Sequence, residues 1–207
     1  SGLSRTPGLG ESWADAAARA QLLTQIAHRN NLRYVHISAD CVFDRDVSAH
    51  PADEPLSLHH SCGQKLAAGE LIAATVPRHL VVRTGWVVER ARGFLDDITA
   101  AAKRGQQIEV CEDERGRLTF ASQLADGITH LLNATAPAGT YNITGDGRVA
   151  TWGDWAREIY RLCDANPGLV VGVATQGHDA VVGRTPAILD LDKAKQQGWR
   201  PGNSWFM

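Results

Sequence analysis

Two adjacent histidines, His59 and His60, the cysteines Cys41 and Cys62, and the arginines Arg115 and Arg117 are side chains whose types could carry chemistry. A histidine can serve as a general acid or a metal ligand. No third ligand stands at a metal-binding spacing, so His59 and His60 read as loop histidines. The four cysteines (Cys41, Cys62, Cys111 and Cys163) are far apart, with neither a CxxC pair nor a zinc pattern, and they read as reduced thiols. Arg115 and Arg117 read as a solvated loop pair, and Trp152 and Trp155, at helical spacing, as core anchors. A dinucleotide pyrophosphate requires glycine backbone against a helix N-terminus. The glycines of GLG (8–10) and GDG (145–147) follow no suitable strand-to-helix turn.

Helices and strands must position these groups. Residues 1–10 are turn-formers and read as a linker or tag remnant. From Glu11 to Asn30, the spacing of Trp13, Ala17, Leu22, Leu23 and Ile26 predicts an amphipathic helix that ends at Asn30-Asn31. LRYVHIS (32–38) reads as a parallel strand buried on both faces, residues 44–60 as a loop, and HLVVRTGWVV (79–88) as a second buried strand. Helices are expected through LAAGELIAATV, GFLDDITAAAKRG and SQLADGITHLLNA, with strands at QIEVCE and GTYNITG. Thr151, three residues before Asp154, marks the N-cap of a helix through TWGDWAREIYRLCDA. This alternation predicts an α/β fold with a parallel sheet.

The 207 residues carry 21 Lys and Arg against 23 Asp and Glu, a net charge of -2 that gives no electrostatic case for nucleic acid or a membrane surface. No apolar run approaches the roughly 18 residues of a membrane helix, and a cytoplasmic location is expected.

In order along the chain, six segments resemble the dTDP-4-dehydrorhamnose reductase family, a group of extended short-chain dehydrogenases. HISADCVFD (36–44) resembles H-I-S-T-D-Y-V-F-D, and SCGQKLAAGE (61–70) resembles V-Y-G-x-[ST]-K-L-A-G-E. VVRTGWVVE (81–89), EDERGRLTFASQLADGI (112–128), GTYNITGDGRVATWGDWAREI (139–159) and RTPAILDLDKAKQQGWRP (184–201) resemble later blocks of the family. The resemblance implies a Rossmann-like parallel sheet over residues 11–90 and a small substrate-binding α/β region over 91–207. It further implies NADPH as the family cofactor and a dTDP-sugar as ligand. Trp86 matches an aromatic that packs on the sugar, its other reading being a core aromatic at the end of a buried strand, and Arg115, Gly116 and Thr119 fall in the segment that shapes the nucleotide pocket.

Departures from the pattern fall on the hydride-transfer machinery. The family uses a Ser/Thr to hold the substrate oxygen, a Tyr to donate the proton, and a Lys that tunes the Tyr and grips the nicotinamide ribose. Aligned without gaps, these positions hold Ala39, Cys62 and Leu66. A register shift by one would instead pair Ser61 with Lys65. Cys41 and Cys62 would face one cleft, where a metal, a disulfide or inert packing are the options, inert packing being the expectation. The family's N-terminal dinucleotide-binding half also has no counterpart here, which would leave the strand at 32–38 on an exposed sheet edge. The sequence therefore reads as a pseudoenzyme that binds no cofactor by itself. It would bind a nucleotide sugar, and pair with a partner or itself to cover the edge. The alternatives are an active NADPH-dependent reductase completed by an upstream segment or another chain, or a remnant without activity.

Overall fold

A computed structural model describes residues 13–43, 49–57, 61–89, 93–174 and 187–202. The chain runs through α1 (Trp13–Arg29), β1 (Tyr34–Ala39), a 3-10 turn (Asp40–Val42), β2 (Ala49–His50), α2 (Ser61–Ala73), β3 (His79–Thr84) and β4 (Val87–Val88). It continues with α3 (Phe94–Lys103), β5 (Ile108–Cys111), β6 (Arg115–Gly116), β7 (Thr119–Phe120), α4 (Ala121–Asn133), β8 (Gly139–Asn142) and β9 (Ala150–Thr151). Last come α5 (Trp152–Leu162), β10 (Val170–Val173), β11 (Ile188–Leu189) and α6 (Asp192–Gln196). The chain is an α/β protein, and its principal sheet is parallel in the order β1-β3-β8.

Alternation along the strands sorts side chains into two layers. Leu80 and Val82 of β3 join Tyr141 and Ile143 in a core closed by Leu131 of α4, Ala194 of α6 and Trp199. Arg83, one residue on, faces the other way and reaches Glu70 of α2. A second unit packs α3 and α5 over β5 and β10, with Ile98, Val110, Ala156, Tyr160 and Val170 buried together. Helix α5 starts as its sequence demands. The Thr151 hydroxyl accepts from the Asp154 N–H, and the Asp154 carboxylate accepts from the Thr151 N–H. That backbone bond holds the Asp154 carboxyl below the usual carboxylate range.

Three expectations are corrected. Helix α1 ends at its asparagines, with Asn31 at φ 51 as a left-handed cap. Its buried positions, however, are Ala20, Thr24 and Ala27, while Leu22, Leu23 and Ile26 are exposed. Helix α1 packs on α2, so small side chains occupy the contact and the larger ones are turned outward. Strand β1 is not buried on both faces. It is the outer strand of its sheet among the described residues, and Ile37 is 54% exposed. The segment 79–88 is two strands, because Trp86 adopts φ 47 and turns the chain away, so that β4 pairs with β7 rather than extending β3.

Candidate functional site

The C-terminal ends of β1, β3 and β8 converge, as ligand sites in open α/β sheets do. Ala39 closes β1 opposite Thr84 of β3 and offers no hydroxyl. Asp40 follows it, its carboxylate against Gly85 just after β3. Asp40 and Gly85, together with Arg117, Thr144 and the stretch Ala187, Ile188 and Leu189, line a narrow opening of ≈ 10 Å³. That is room for about one water and far below the ~300–1,000 Å³ of sites that enclose a drug-sized molecule, so it presents polar groups at a mouth and does not enclose a ligand.

Polar groups in this opening are tied down in part. Arg117 donates from Nη1 to the Leu189 carbonyl at 3.2 Å, and its buried Nε has no hydrogen-bond partner. The Thr144 hydroxyl donates to the Gly145 carbonyl at 3.1 Å. Tyrosine, lysine and histidine are missing from the described residues that line it. Carboxylate, guanidinium and hydroxyl can orient a polyhydroxylated ligand by hydrogen bonds.

Helix α2 forms the next wall. A Cβ at Gly63 would lie 2.7 Å from the Cys41 carbonyl oxygen and 3.0 Å from that of Ser57, so glycine is what allows α2 to begin this close to the 3-10 turn. Cys41 is disulfide-bonded, whereas Cys111 and Cys163 are in no disulfide, the Cys111 thiol donating to the Asp113 carboxylate at 2.8 Å. The reading of all four cysteines as reduced thiols, and of Cys41 as inert packing, is thereby corrected. Sequence spacing missed the close approach of the turn to the helix. The side chains of Ser61, Cys62 and Lys65, and residues His59 and His60, lie outside the described residues. Leu66 is half-buried against Val42, Phe43, Ala187 and Leu189, an apolar setting for the position that the resemblance assigns to a cation.

Below the site, the Arg83 guanidinium grips Glu70 with Nε and Nη2 and donates from Nη1 to the Ala52 carbonyl at 3.0 Å. The Phe43 ring lies 4.8 Å from Arg83 Cζ and stacks on His50, centroids 4.6 Å apart. This buried layer fixes the loop at 49–57 against the sheet.

Of the residues singled out from sequence, Trp86, Gly116 and Thr119 come together. The Trp86 indole lies flat on Trp152, centroids 3.8 Å apart with 2° between planes, and a Cβ at Gly116 would come within 2.7 Å of it. Thr119 is fully buried; its N–H donates to the Trp86 carbonyl, and its hydroxyl oxygen accepts from the Gly145 N–H at 3.4 Å. Arg115 is exposed on β6, opposite Thr151. Arg117 is not part of a solvated pair. It is half-buried and turned into the opening by its bond to Leu189. Asp40, Gly85 and Thr144 were also missed. Their signal was position, since each follows a parallel strand by one or two residues. Leu189 had none, because β11 pairs with the distant β2.

A probable dTDP-4,6-dihydroxy-2-methyloxan-3-one 4-ketoreductase of Streptomyces antibioticus is 35% identical over 66% of this chain and 47% of its own length. A dTDP-4-dehydrorhamnose reductase of Mycobacterium tuberculosis is 28% identical over 79% of this chain and 56% of its own. The chain thus spans about half the length of these curated relatives. Among solved structures, the dTDP-4-dehydrorhamnose reductase of Bacillus anthracis in complex with NADP superimposes with a TM-score of 0.82 at 22% identity, over 92% of this chain and 68% of that one. The model of the RmlD substrate binding domain matches residues 12–206. With its parallel sheet and these relatives, the chain belongs to the RmlD substrate binding domain family, the dTDP-4-dehydrorhamnose reductases and their kin.

Proposed function

We propose that this chain binds a nucleotide sugar of the dTDP class and does not reduce it by itself. Leu66 carries the reading. The position that should grip a nicotinamide ribose with a cation is instead packed among Val42, Phe43, Ala187 and Leu189. With Ala39 lacking the hydroxyl that would hold a substrate oxygen, the residues present do not fit NADPH, and no hydride step is derived. The opening lined by Asp40, Arg117 and Thr144 then serves recognition, in a cytoplasmic protein. Titration calorimetry with dTDP is expected to show binding, and fluorescence titration with NADPH none. Saturable NADPH binding in the micromolar range would overturn the reading.

A second reading is an active reductase completed by an upstream segment or another chain. It is favoured by the outer position of β1 among the described residues, where the open edge suits a further strand. A protein partner or a second copy would cover the same edge.

A further inference from the structure

Strands β2 and β11 are two residues long each and, among the described residues, pair only with one another, in parallel and with Leu189 beside His50. A ribbon that short does not hold its own register in water. One buried side chain fastens it. Asn142, at the end of β8 and 1% exposed, donates from Nδ2 to the His50 carbonyl and to the Asp190 carbonyl, each at 2.9 Å. The His50 carbonyl also accepts from the Asp190 N–H at 2.9 Å, so the amide meets the ribbon where its two strands are joined. Both partners are acceptors, and this fixes which end of the amide is nitrogen. The Asn142 Oδ1 is buried without a hydrogen-bond partner, a cost that an apolar residue would avoid. Asparagine therefore serves here for its two donors.

The fastened ribbon is one wall of the opening, through Ala187, Ile188 and Leu189. Its Asp190 carbonyl is held by Asn142, and the Leu189 carbonyl, one residue earlier, accepts from Arg117 Nη1 at 3.2 Å. The placement of that carbonyl sets where the guanidinium stands. We propose that Asn142 is a positioning residue for the ligand site: through Asp190 and Leu189 it holds Arg117 at the mouth of the opening, without touching the ligand itself. The proposal rests on reading the opening as the nucleotide-sugar site, where a guanidinium is the group suited to an anionic ligand. Without the amide, the ribbon keeps its apolar anchor, Leu189 against Val42 and Phe43, but its carbonyls can tilt relative to the sheet. Arg117 then samples several placements, and binding must bear the cost of selecting one. Thr144, also in the opening, keeps its place, because the β8 ladder continues from the Ile143 N–H to the Arg83 carbonyl at 2.9 Å. The loss is confined to Arg117.

The test is a double-mutant cycle in the full chain, read by calorimetry with dTDP. Asn142→Leu removes both donors at similar size, and it and Arg117→Ala should each weaken binding about tenfold, roughly 1.4 kcal/mol. The two together should weaken it no further than Arg117→Ala alone, since residues that act through one another are not additive. Additive losses would show that Asn142 supports the fold at large, and they overturn the proposal. Unchanged affinity in Asn142→Leu overturns it too. Nitrogen NMR supplies a second readout. Exchange of the Arg117 Nε–H, buried in the parent, should quicken about tenfold in Asn142→Leu, while the Trp152 indole N–H, bonded to Glu114 at 3.2 Å, keeps its rate. Equal Arg117 exchange in parent and variant overturns the proposal. If Asn142→Leu fails to fold, Asn142→Ser, which keeps one donor, carries the same cycle and the same exchange measurement. If dTDP does not bind the parent, the reading of the site fails, while Arg117 exchange still decides whether Asn142 positions it.

Discussion

Arg83 and Glu70 form a two-pronged ion pair, with Nε 3.0 Å from Oε1 and Nη2 2.7 Å from Oε2, and their side chains are 4% and 5% exposed. A pair this buried is costly to desolvate as a whole but far costlier to break. Glu70→Ala should therefore destabilise the fold by about 3–5 kcal/mol. Arg83→Lys should recover little, because one ammonium cannot serve both Glu70 oxygens and the Ala52 carbonyl in the same geometry. Urea unfolding of the two variants measures this, and a loss below about 1 kcal/mol for Glu70→Ala would show that water replaces the partner.

Trp86 holds a left-handed backbone at φ 47, which costs a large side chain of order 1–3 kcal/mol unless its surroundings enforce it. The parallel stack on Trp152 is the enforcing contact. A double-mutant cycle of Trp86→Ala and Trp152→Ala should give a coupling of about 1 kcal/mol or more in stability. Additive losses would leave the strained turn without that explanation. One indole face is committed to Trp152, so a sugar can use only what the stack leaves open. Calorimetry with dTDP-rhamnose on Trp86→Ala checks whether that remainder matters, and a drop in affinity is expected.

His36 lies under α2 against Gly69, with its Nε2 buried and lacking a hydrogen-bond partner. Burial pushes its pKa below the usual histidine value, with the nearby Glu70 charge opposing; Tyr34, whose hydroxyl lies 3.3 Å from Nδ1, is the other titratable neighbour. The folded state thus holds His36 neutral while the unfolded chain takes up a proton near pH 6.5. Its contribution should be complete above about pH 6.5 and fade as the pH falls through the depressed folded value. Unfolding free energies measured from pH 8 to 5 should decline over that window, and His36→Phe should flatten the decline. An identical slope in the variant would assign the pH dependence to other groups.

Ile37 sits on the outer strand with half its surface in water. A lysine on such an edge opposes strand pairing at little cost to the fold. Ile37→Lys should shift stability by no more than about 0.5 kcal/mol. Light scattering of the parent across a hundredfold dilution is expected to show association that falls away on dilution, and Ile37→Lys should weaken it. A parent that stays monomeric throughout would mean that β1 is covered within the chain.

Local signals in the sequence were read well where the chemistry is local. The Thr151 and Asp154 cap and the Asn31 stop lie within a few residues of the hydrogen bonds they make, and order along the chain was enough to place the family. Trp86 marks the limit. Its β-branched flanks read as continuous strand, while the break arises from a partner 66 positions away, Trp152. Arg117 was misread for the same reason, since the carbonyl that draws it inward belongs to Leu189. Helix periodicity located α1 but chose the wrong face, because side-chain size at the α2 contact outweighed hydrophobicity. The Cys41 disulfide lay beyond spacing rules altogether.

Strand β8 enters the principal sheet only after β5, β6, β7 and α4 have been made, although β1 and β3 are complete by Thr84. At roughly 5–20 residues per second, a nascent chain therefore carries β3 for several seconds before its second neighbour exists. Over that interval Leu80 and Val82 lack Tyr141 and Ile143, and the flank of β3 that β8 will occupy can recruit a foreign strand. Chaperone dependence during synthesis, and slow refolding from denaturant with a rate set by the return of β8, are the kinetic mark of this long-range pairing.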